Sequence, residues 1–266
     1  MADNEHLRER FISQLGESAW DQNWASVLKW SPELLEASID LLAVPKQKRH
    51  LSPKTQQLIS IAVDSSSTHL YLPGVRQHVK EALKQGATPA EIMELIELTS
   101  TLGIHACNIG VPVLLDVMRE AAIFDQHPTA GQPFDSRREQ LKADFVEKRG
   151  YWHHFWEEFL ALDPKFFAAY TQFSSVSWVK GMEDGKRVGG LEPKVKELIY
   201  CAFDAAATHL YVPGLRAHMH NVLKYGGTPE EILEVLEIAT QLSLHTAHAA
   251  TPILEQCLAS QEEDGG

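Results

Sequence analysis

Residues 51–115 read LSPKTQQLISIAVDSSSTHLYLPGVRQHVKEALKQGATPAEIMELIELTSTLGIHACNIGVPVLL, and residues 191–255 read LEPKVKELIYCAFDAAATHLYVPGLRAHMHNVLKYGGTPEEILEVLEIATQLSLHTAHAATPILE. Laid over one another at a constant offset of 140 with no gap, they are identical at roughly 28 of the 68 positions counted from Leu51. The chain contains one unit twice. Upstream the match continues more weakly at an offset of 132, with Trp24 over Trp156, Leu28 over Leu160 and Pro32 over Pro164. The second copy therefore carries about eight extra residues, which the Gly-rich stretch Gly181–Gly190 accommodates. HPTAGQPFDS, at 127–136, is the natural linker, and it divides the chain into domains 1–127 and 128–266.

Punctuation within each copy sets the helices. Thr88-Pro89-x-Glu91 and Thr228-Pro229-x-Glu231 each supply a capping Thr, a first-turn Pro and a Glu three residues after the cap, which together satisfy orphan amides at a helix start. Gly86 and Gly226, just before them, suit the left-handed end of the preceding helix. Between these marks the apolar spacing predicts helices from Pro53 to about Ser67, Pro73 to Gln85, Pro89 to about Leu102, and a longer one from Ile104 to about Phe124 interrupted by Pro112. No strand alternation bounded by hairpin turns is evident. The expectation is an all-α protein of two similar helical domains, each with two Trp-rich leading helices and a core of four.

Composition narrows the function. Thirty-six acidic against 24 basic side chains give a formal charge of −12, and no Lys/Arg run forms a basic stripe. Nucleic acid and an anionic membrane surface are therefore not expected as partners. No run of about 20 apolar residues and no apolar leader after MADNEHLRER is found. Three scattered cysteines, Cys107, Cys201 and Cys257, make no disulfide framework and suit a reducing, cytoplasmic setting.

The best-kept block is polar: Asp64, Thr68, His69, Leu70, Tyr71, Pro73, Gly74, Arg76 and His78, repeated as Asp204, Thr208, His209, Leu210, Tyr211, Pro213, Gly214, Arg216 and His218. Packing alone keeps Leu and Ala; it gives little reason to keep two His, an Arg, an Asp and a Tyr. Asp64 and Thr68, four apart, are expected on one helix face. The turn then brings Arg76 and His78 onto the first turns of a helix whose amides favour an anion. His105 and His245, from the last helix of each copy, are placed to complete a pocket. Arg76 suits either an ion pair with Asp64 or a substrate clamp. Glu94, Glu97, Glu234 and Glu237 are expected to face solvent or a subunit neighbour, and Trp20, Trp24 and Trp30 to be core or interface aromatics.

These residues resemble the carboxymuconolactone decarboxylase and alkylhydroperoxidase D superfamily, over about Leu51–Val117 and Leu191–Cys257. The peroxidase branch of that family carries C-x-x-C-x-x-x-H with an upstream Glu. Counting back from His78 and His218, the thiol places hold Tyr71 and Gly74, and Tyr211 and Gly214, so thiol peroxidase chemistry is not expected. Glu197 stands about two residues too far upstream for the family's Glu, and the first copy has Gln57 there. The resemblance to the decarboxylase branch implies a lyase or isomerase without a cofactor. Its substrate would be a small anionic molecule, a carboxylic acid or lactone. Decarboxylation needs a held carboxylate, a donor for the developing enolate and a proton for the carbon. His69, Arg76 and His78, with His209, Arg216 and His218, are the expected acid–base set, and Asp64, Thr68, Tyr71, His105, Asp204, Thr208, Tyr211 and His245 the expected substrate contacts.

Two other readings stay open. The His/Asp cluster suits a zinc or iron ion, and the signature would equally build a non-catalytic oligomeric ligand-binding protein. Relatives of this kind form trimers or hexamers, so a homo-oligomer, trimer or dimer, is expected. Ser65-Ser66-Ser67 against Ala205-Ala206-Ala207 and Asn108 against His248 predict two sites of unequal specificity.

Overall fold

A computed structural model of the chain describes residues 4–179, 182–183, 186–187 and 190–264. Among them the protein is all-α. The first copy runs through α1 (Glu5–Leu15), α2 (Gln22–Trp30), α3 (Pro32–Lys48), α4 (Pro53–Ser65), α5 (Leu72–Lys84), α6 (Pro89–Thr99) and α7 (His105–Glu120). The second runs through α8 (Ser136–Arg149), α9 (Phe155–Leu162), α10 (Pro164–Val179), α11 (Pro193–Ala205), α12 (Val212–Lys224), α13 (Pro229–Ala239) and α14 (Leu244–Asp264). Each copy thus has three leading helices where the sequence suggests two. A two-residue ladder pairs Met182–Glu183 with Lys186–Arg187; the rest of the Gly181–Gly190 stretch, apart from Gly190, lies outside the described residues.

The caps form as the residues dictate. Thr228 and Glu231 exchange bonds in a capping box, and Thr88 and Glu91 do the same at 2.8 and 3.1 Å. Gly86 and Gly226 take φ of 85° and 79°, the left-handed region that glycine enters without a steric penalty. Helix α4 stops at Ser65, earlier than expected, because Ser66 turns to extended backbone. Helix α7 runs on through Pro112.

The described residues group in space as two units, Met1–Ile92 with Glu192–Gly266, and Met93–Leu191. This grouping cuts across the sequence copies. In the first unit α14, the last helix of the second copy, packs on α2 and closes the leading bundle of the first copy. That bundle buries Leu7, Phe11 and Leu15 from α1, Trp24 and Val27 from α2, and Leu35, Ile39 and Ala43 from α3, each set at helical spacing; Leu244 and Ala247 of α14 pack against it. Phe11 lies 5.1 Å from the Trp20 ring and 5.4 Å from that of Trp24, so Phe11→Ala is expected to cost about 3–5 kcal/mol. Trp30, by contrast, is exposed. Helices α4 and α11, equivalent in the two copies, pack on one another and are buried almost all round. Thr68 and Thr208, 140 residues apart, meet with hydroxyls at 3.4 Å, as two copies related by a local two-fold axis would.

The second unit is built the same way from the other halves. Ile104, just before α7, joins Phe145 of α8, Trp156, Phe159 and Leu160 of α9 and Phe167 of α10 in one core, with Cys107 and Val111 of α7 packed against it. Helices α6 and α7 with the turn between them make a 32-residue run, Pro89–Glu120, apolar enough on length and composition alone to cross a membrane; 39% of its most apolar window is buried, which the core helix of a folded domain also shows.

Candidate active site

The site lies in the first unit, where the turn between α4 and α5 meets α14 and the leading bundle. In that turn the amides of His69 and Leu70 both reach the Ser66 carbonyl at 2.8 Å, and the Tyr71 amide returns to the Asp64 carbonyl at 2.8 Å. Closing it puts Leu70 at φ 48°, and the second copy repeats the conformation at Leu210 with φ 53°. A branched residue in the left-handed region is strained by about 1–2 kcal/mol; the turn keeps that strain in both copies and so fixes the residues on either side of it.

Those residues line a cavity of about 100 Å³. One wall is apolar, from Phe11, Leu15, Trp24, Leu42 and Leu244; the other carries Tyr71, His78, His245 and His248, with Asp21 and Lys46 at its margins. Asp64 sits behind the imidazoles, buried, its carboxylate 3.8 Å from His78 Nε2 and 3.6 Å from His245 Nε2. Burial pushes its carboxyl up to about 8, so at neutral pH it keeps a proton. His78 Nδ1 donates to Gln57 Oε1 at 2.7 Å, which leaves the Nε2 lone pair facing Asp64. Burial, then the nearby Lys46 charge, lowers His78 to about 4. His69 Nε2 and His245 Nδ1 share a 2.8 Å hydrogen bond. Burial first, then the neighbouring imidazoles His69, His78 and His248, brings His245 down to about 3. At neutral pH His78 and His245 are uncharged imidazoles beside an uncharged Asp64 carboxyl.

On the other side the His245 ring stacks on Tyr71, with centroids 3.9 Å apart. The Tyr71 hydroxyl is hydrogen-bonded to His248 Nδ1, and His248 Nε2 lies 3.0 and 2.9 Å from the two oxygens of Asp21. Lys46 Nζ donates to the Leu15 carbonyl at 2.8 Å. It is the one Lys or Arg among the residues lining this cavity.

The sequence-predicted residues divide clearly. Asp64, His69, Tyr71, His78 and His245 come together, with His245 supplied by the last helix of the other copy. Arg76 and Arg216 are exposed, and Arg76 lines a separate surface depression with Ser18 and Lys80. It is not among the residues lining the cavity, where the cation is Lys46. Thr68 and Thr208 are exposed and meet each other; because α4 ends at Ser65, Thr68 does not share a helical face with Asp64. Glu94 and Glu234 are buried instead of facing solvent: Glu234 accepts from the His50 and Leu51 amides and from Gln56, and Glu94 from the Leu191 amide. Glu97 and Glu237 are partly buried, and Glu237 pairs with Lys48.

Within the first unit the second copy's corner is related but different. His218 Nδ1 donates to Glu197 Oε2 at 2.6 Å across a separation of 21 residues, so the Glu that looked two residues out of place does reach the histidine. The His218 ring stacks on Tyr200 at 4.3 Å, and Asp204 Oδ2 is 4.0 Å from Nε2. Burial raises Asp204 to about 7, with His218 opposing and Glu197 adding to the rise. His209 is partly buried and Tyr211 buried, their rings 6.2 Å apart. His105 is buried at the start of α7 in the second unit. Sequence reasoning missed Asp21, Lys46 and the role of His248, and set Glu197 and Gln57 aside as out of register. Lys46 has Trp178 at its place in the other copy, so repetition could not reveal it.

Asp64, His69 and His245 each offer a ligand atom within 4.8 Å of the others, and these three could hold a metal ion once the His69–His245 hydrogen bond opens. No thiol enters the corner. Cys107, Cys201 and Cys257 are free, and burial, first among several causes, raises the Cys201 thiol well above its ordinary value, which leaves little thiolate.

A duplicated all-α unit whose corner gathers histidines, a tyrosine and a buried carboxyl, with no thiol among them, defines the class. The model of the carboxymuconolactone decarboxylase family matches residues 32–120 and 164–256, and the chain belongs to that family. A solved structure from Burkholderia xenovorans LB400, provisionally described as a gamma-carboxymuconolactone decarboxylase subunit, is 44% identical over 97% of this chain and 98% of its own, with a TM-score of 0.88. Comparison with curated proteins gives no match.

Proposed function

We propose that the chain is a lyase of the decarboxylase type, acting without a cofactor on a small anionic lactone or carboxylic acid. The observation that carries this is the placing of Lys46, the one Lys or Arg lining the cavity, beside His78, His245 and Asp64, which burial keeps uncharged at pH 7. Lys46 holds a substrate carboxylate. The apolar wall of Phe11, Trp24 and Leu244 favours departure of neutral carbon dioxide over retention of a carboxylate against it. His78, whose Nε2 lone pair faces protonated Asp64, takes that carboxyl's proton and as an imidazolium stabilises the enolate left behind. His69 and His245 keep the pocket's proton inventory through their shared hydrogen bond.

Purified protein given γ-carboxymuconolactone should release one carbon dioxide per molecule consumed. Binding without release would favour a ligand-binding role, and neither binding nor release of this or related lactone and keto acids would overturn the reading. The cluster of Asp64, His69 and His245 supports a second, metal-dependent reading. Stoichiometric zinc or iron in the purified protein, with activity lost on chelation, would favour it.

A homo-oligomer, trimer or dimer, is proposed on the exposed stripe Ile109, Val113 and Val117 along α7, which repeats every four residues as a buried helix face does. Light scattering at micromolar concentration tests this, and a monomer would refute it. The acidic surface supports neither nucleic acid nor membrane as partner, and the three free cysteines support a reducing, cytoplasmic setting.

A further inference from the structure

We propose that Tyr71 and Asp21 of the first copy and His248 of the second form a proton relay that ends at the cavity and is not repeated at the equivalent positions, Tyr71 being the group that protonates the substrate carbon. The inference rests on the acid–base reading above and adds to it the proton donor and its source.

The hydrogen bonds fix the direction of the chain. Asp21 precedes α2 and accepts from the Asn23 and Trp24 amides at 3.0 Å each, so its carboxylate is held before it meets His248. Both its oxygens face His248 Nε2, which makes Nε2 the protonated nitrogen in the neutral ring. Nδ1 then takes the Tyr71 hydroxyl, with the Asn23 side-chain nitrogen at 3.4 Å. The titratable groups around His248 are Asp21 ahead of α2, Tyr71 ahead of α5 and His245 on α14. The Tyr71 ring stacks on His245 and lines the cavity, so the chain of hydrogen bonds ends at the cavity wall.

His248 sets which way the Tyr71 hydroxyl proton points. When the ring is protonated, Nε2 donates to Asp21 and Nδ1 to the Tyr71 oxygen, which frees the hydroxyl hydrogen for the cavity. When the ring is neutral, Nδ1 accepts from Tyr71 and the phenol has no proton to offer the substrate. In the reaction the bond from carbon to carboxylate breaks and carbon dioxide leaves. The electron pair stays on the conjugated substrate, whose carbon takes the Tyr71 proton. The Tyr71 oxygen takes the Nδ1 proton, and His248 regains one from water. The net change is one proton consumed per carbon dioxide released. The first copy has Asn108 at the place of His248, and the second has His153 at the place of Asp21, so the equivalent positions do not carry the same relay.

Two measurements on the full-length protein test this. With γ-carboxymuconolactone, His248→Asn, which installs the other copy's residue, should lower kcat by about 10²–10⁴-fold with KM little changed and abolish the fall in rate at high pH; Tyr71→Phe should do the same. His248→Gln serves if the Asn variant does not fold by circular dichroism. Unchanged kcat and pH profile in folded variants would reduce the three residues to a strut between α2 and α14 and overturn the relay. Nitrogen-15 spectra of His248 need no substrate. Asp21→Asn should shift the Nε2 resonance, and Tyr71→Phe the Nδ1 resonance. An unmoved His248 in both variants overturns the relay, whereas absence of carbon dioxide release by the unmodified protein, with His248 moving as expected, overturns only the decarboxylase reading.

Discussion

Glu197 accepts a hydrogen bond of 2.6 Å from Nδ1 of His218, at the place where the first copy sets Gln57 against His78 at 2.7 Å. The two corners therefore hold one histidine geometry with different charge. Gln57 accepts as a neutral group and leaves His78 low, at about 4; a carboxylate there would favour the imidazolium. Gln57→Glu is expected to raise the His78 midpoint by about one unit or more, seen by proton NMR of the ring, and to move the acid limb of activity upward. A midpoint that stays put would mean that burial alone sets His78.

Gly74 lies against the Asp64 carboxyl so closely that a Cβ there would overlap Oδ2 and stand 2.9 Å from Cγ. Gly214 meets Asp204 in the same way. Gly74 is inside α5, where Ala would otherwise be better by about 0.8–1.0 kcal/mol. Overpacking against a buried carboxyl that cannot retreat outweighs that gain, so Gly74→Ala should destabilise by about 1–3 kcal/mol. Denaturant midpoints measure it, and a stabilised variant would show that Asp64 is free to move.

The repeat, the caps and the corner histidines were legible because both copies state them. Thr88 and Thr228 cap as their sequences require, and His69 and His78 meet Asp64 as their retention suggests. The spacing of Arg76 and His78, two apart and about 200° around a helix, argues against one cavity for both, yet the expected acid–base set joined them. Which copy's last helix closes which bundle was not legible, because α7 and α14 are both apolar enough for either place. Lys46 and Asp21 were hidden for a different reason. Each is a single charged residue on a leading helix or its cap, without a counterpart, and only tertiary packing brings it to His248 and His78.

The shifted groups predict how stability depends on pH. Asp64 and Asp204 are raised from 3.8 to about 8 and about 7, so the folded state holds protons that the unfolded chain has lost, and their contribution falls as pH rises through those values. His78 and His245 are lowered from 6.5 to about 4 and about 3, so the unfolded chain holds the protons, and their contribution is lost as pH falls below 6.5. Between about 4 and 6.5 the two pairs oppose, and stability should be nearly flat. From about 6.5 to 8 only the carboxyls act, and stability should fall by at most about 1.4 kcal/mol per unit for each group. Urea titrations across this range check the sign, and Asp64→Asn with Asp204→Asn should remove the fall. Stability that rises from 6.5 to 8 would show that the carboxyls are ionised in the folded protein.

Lys46 and Arg76 give opposite expectations for the anion. Lys46 lines the cavity and gives one hydrogen bond to the Leu15 carbonyl, which leaves further N–H groups for a substrate carboxylate. A hydrogen bond to a charged group contributes about 1.5–3 kcal/mol, so Lys46→Met should raise KM about 10–100-fold. Lys46→Arg, which keeps the charge and the bond to Leu15, should restore part of it and separates loss of the anion contact from loosening of α1. Arg76→Met, on the exposed side of α5, should leave KM unchanged, apart from a salt-dependent encounter rate. If Arg76→Met raised KM and Lys46→Met did not, the substrate would enter from the depression lined by Ser18, Arg76 and Lys80 and the cavity beside His248 would not be its binding site.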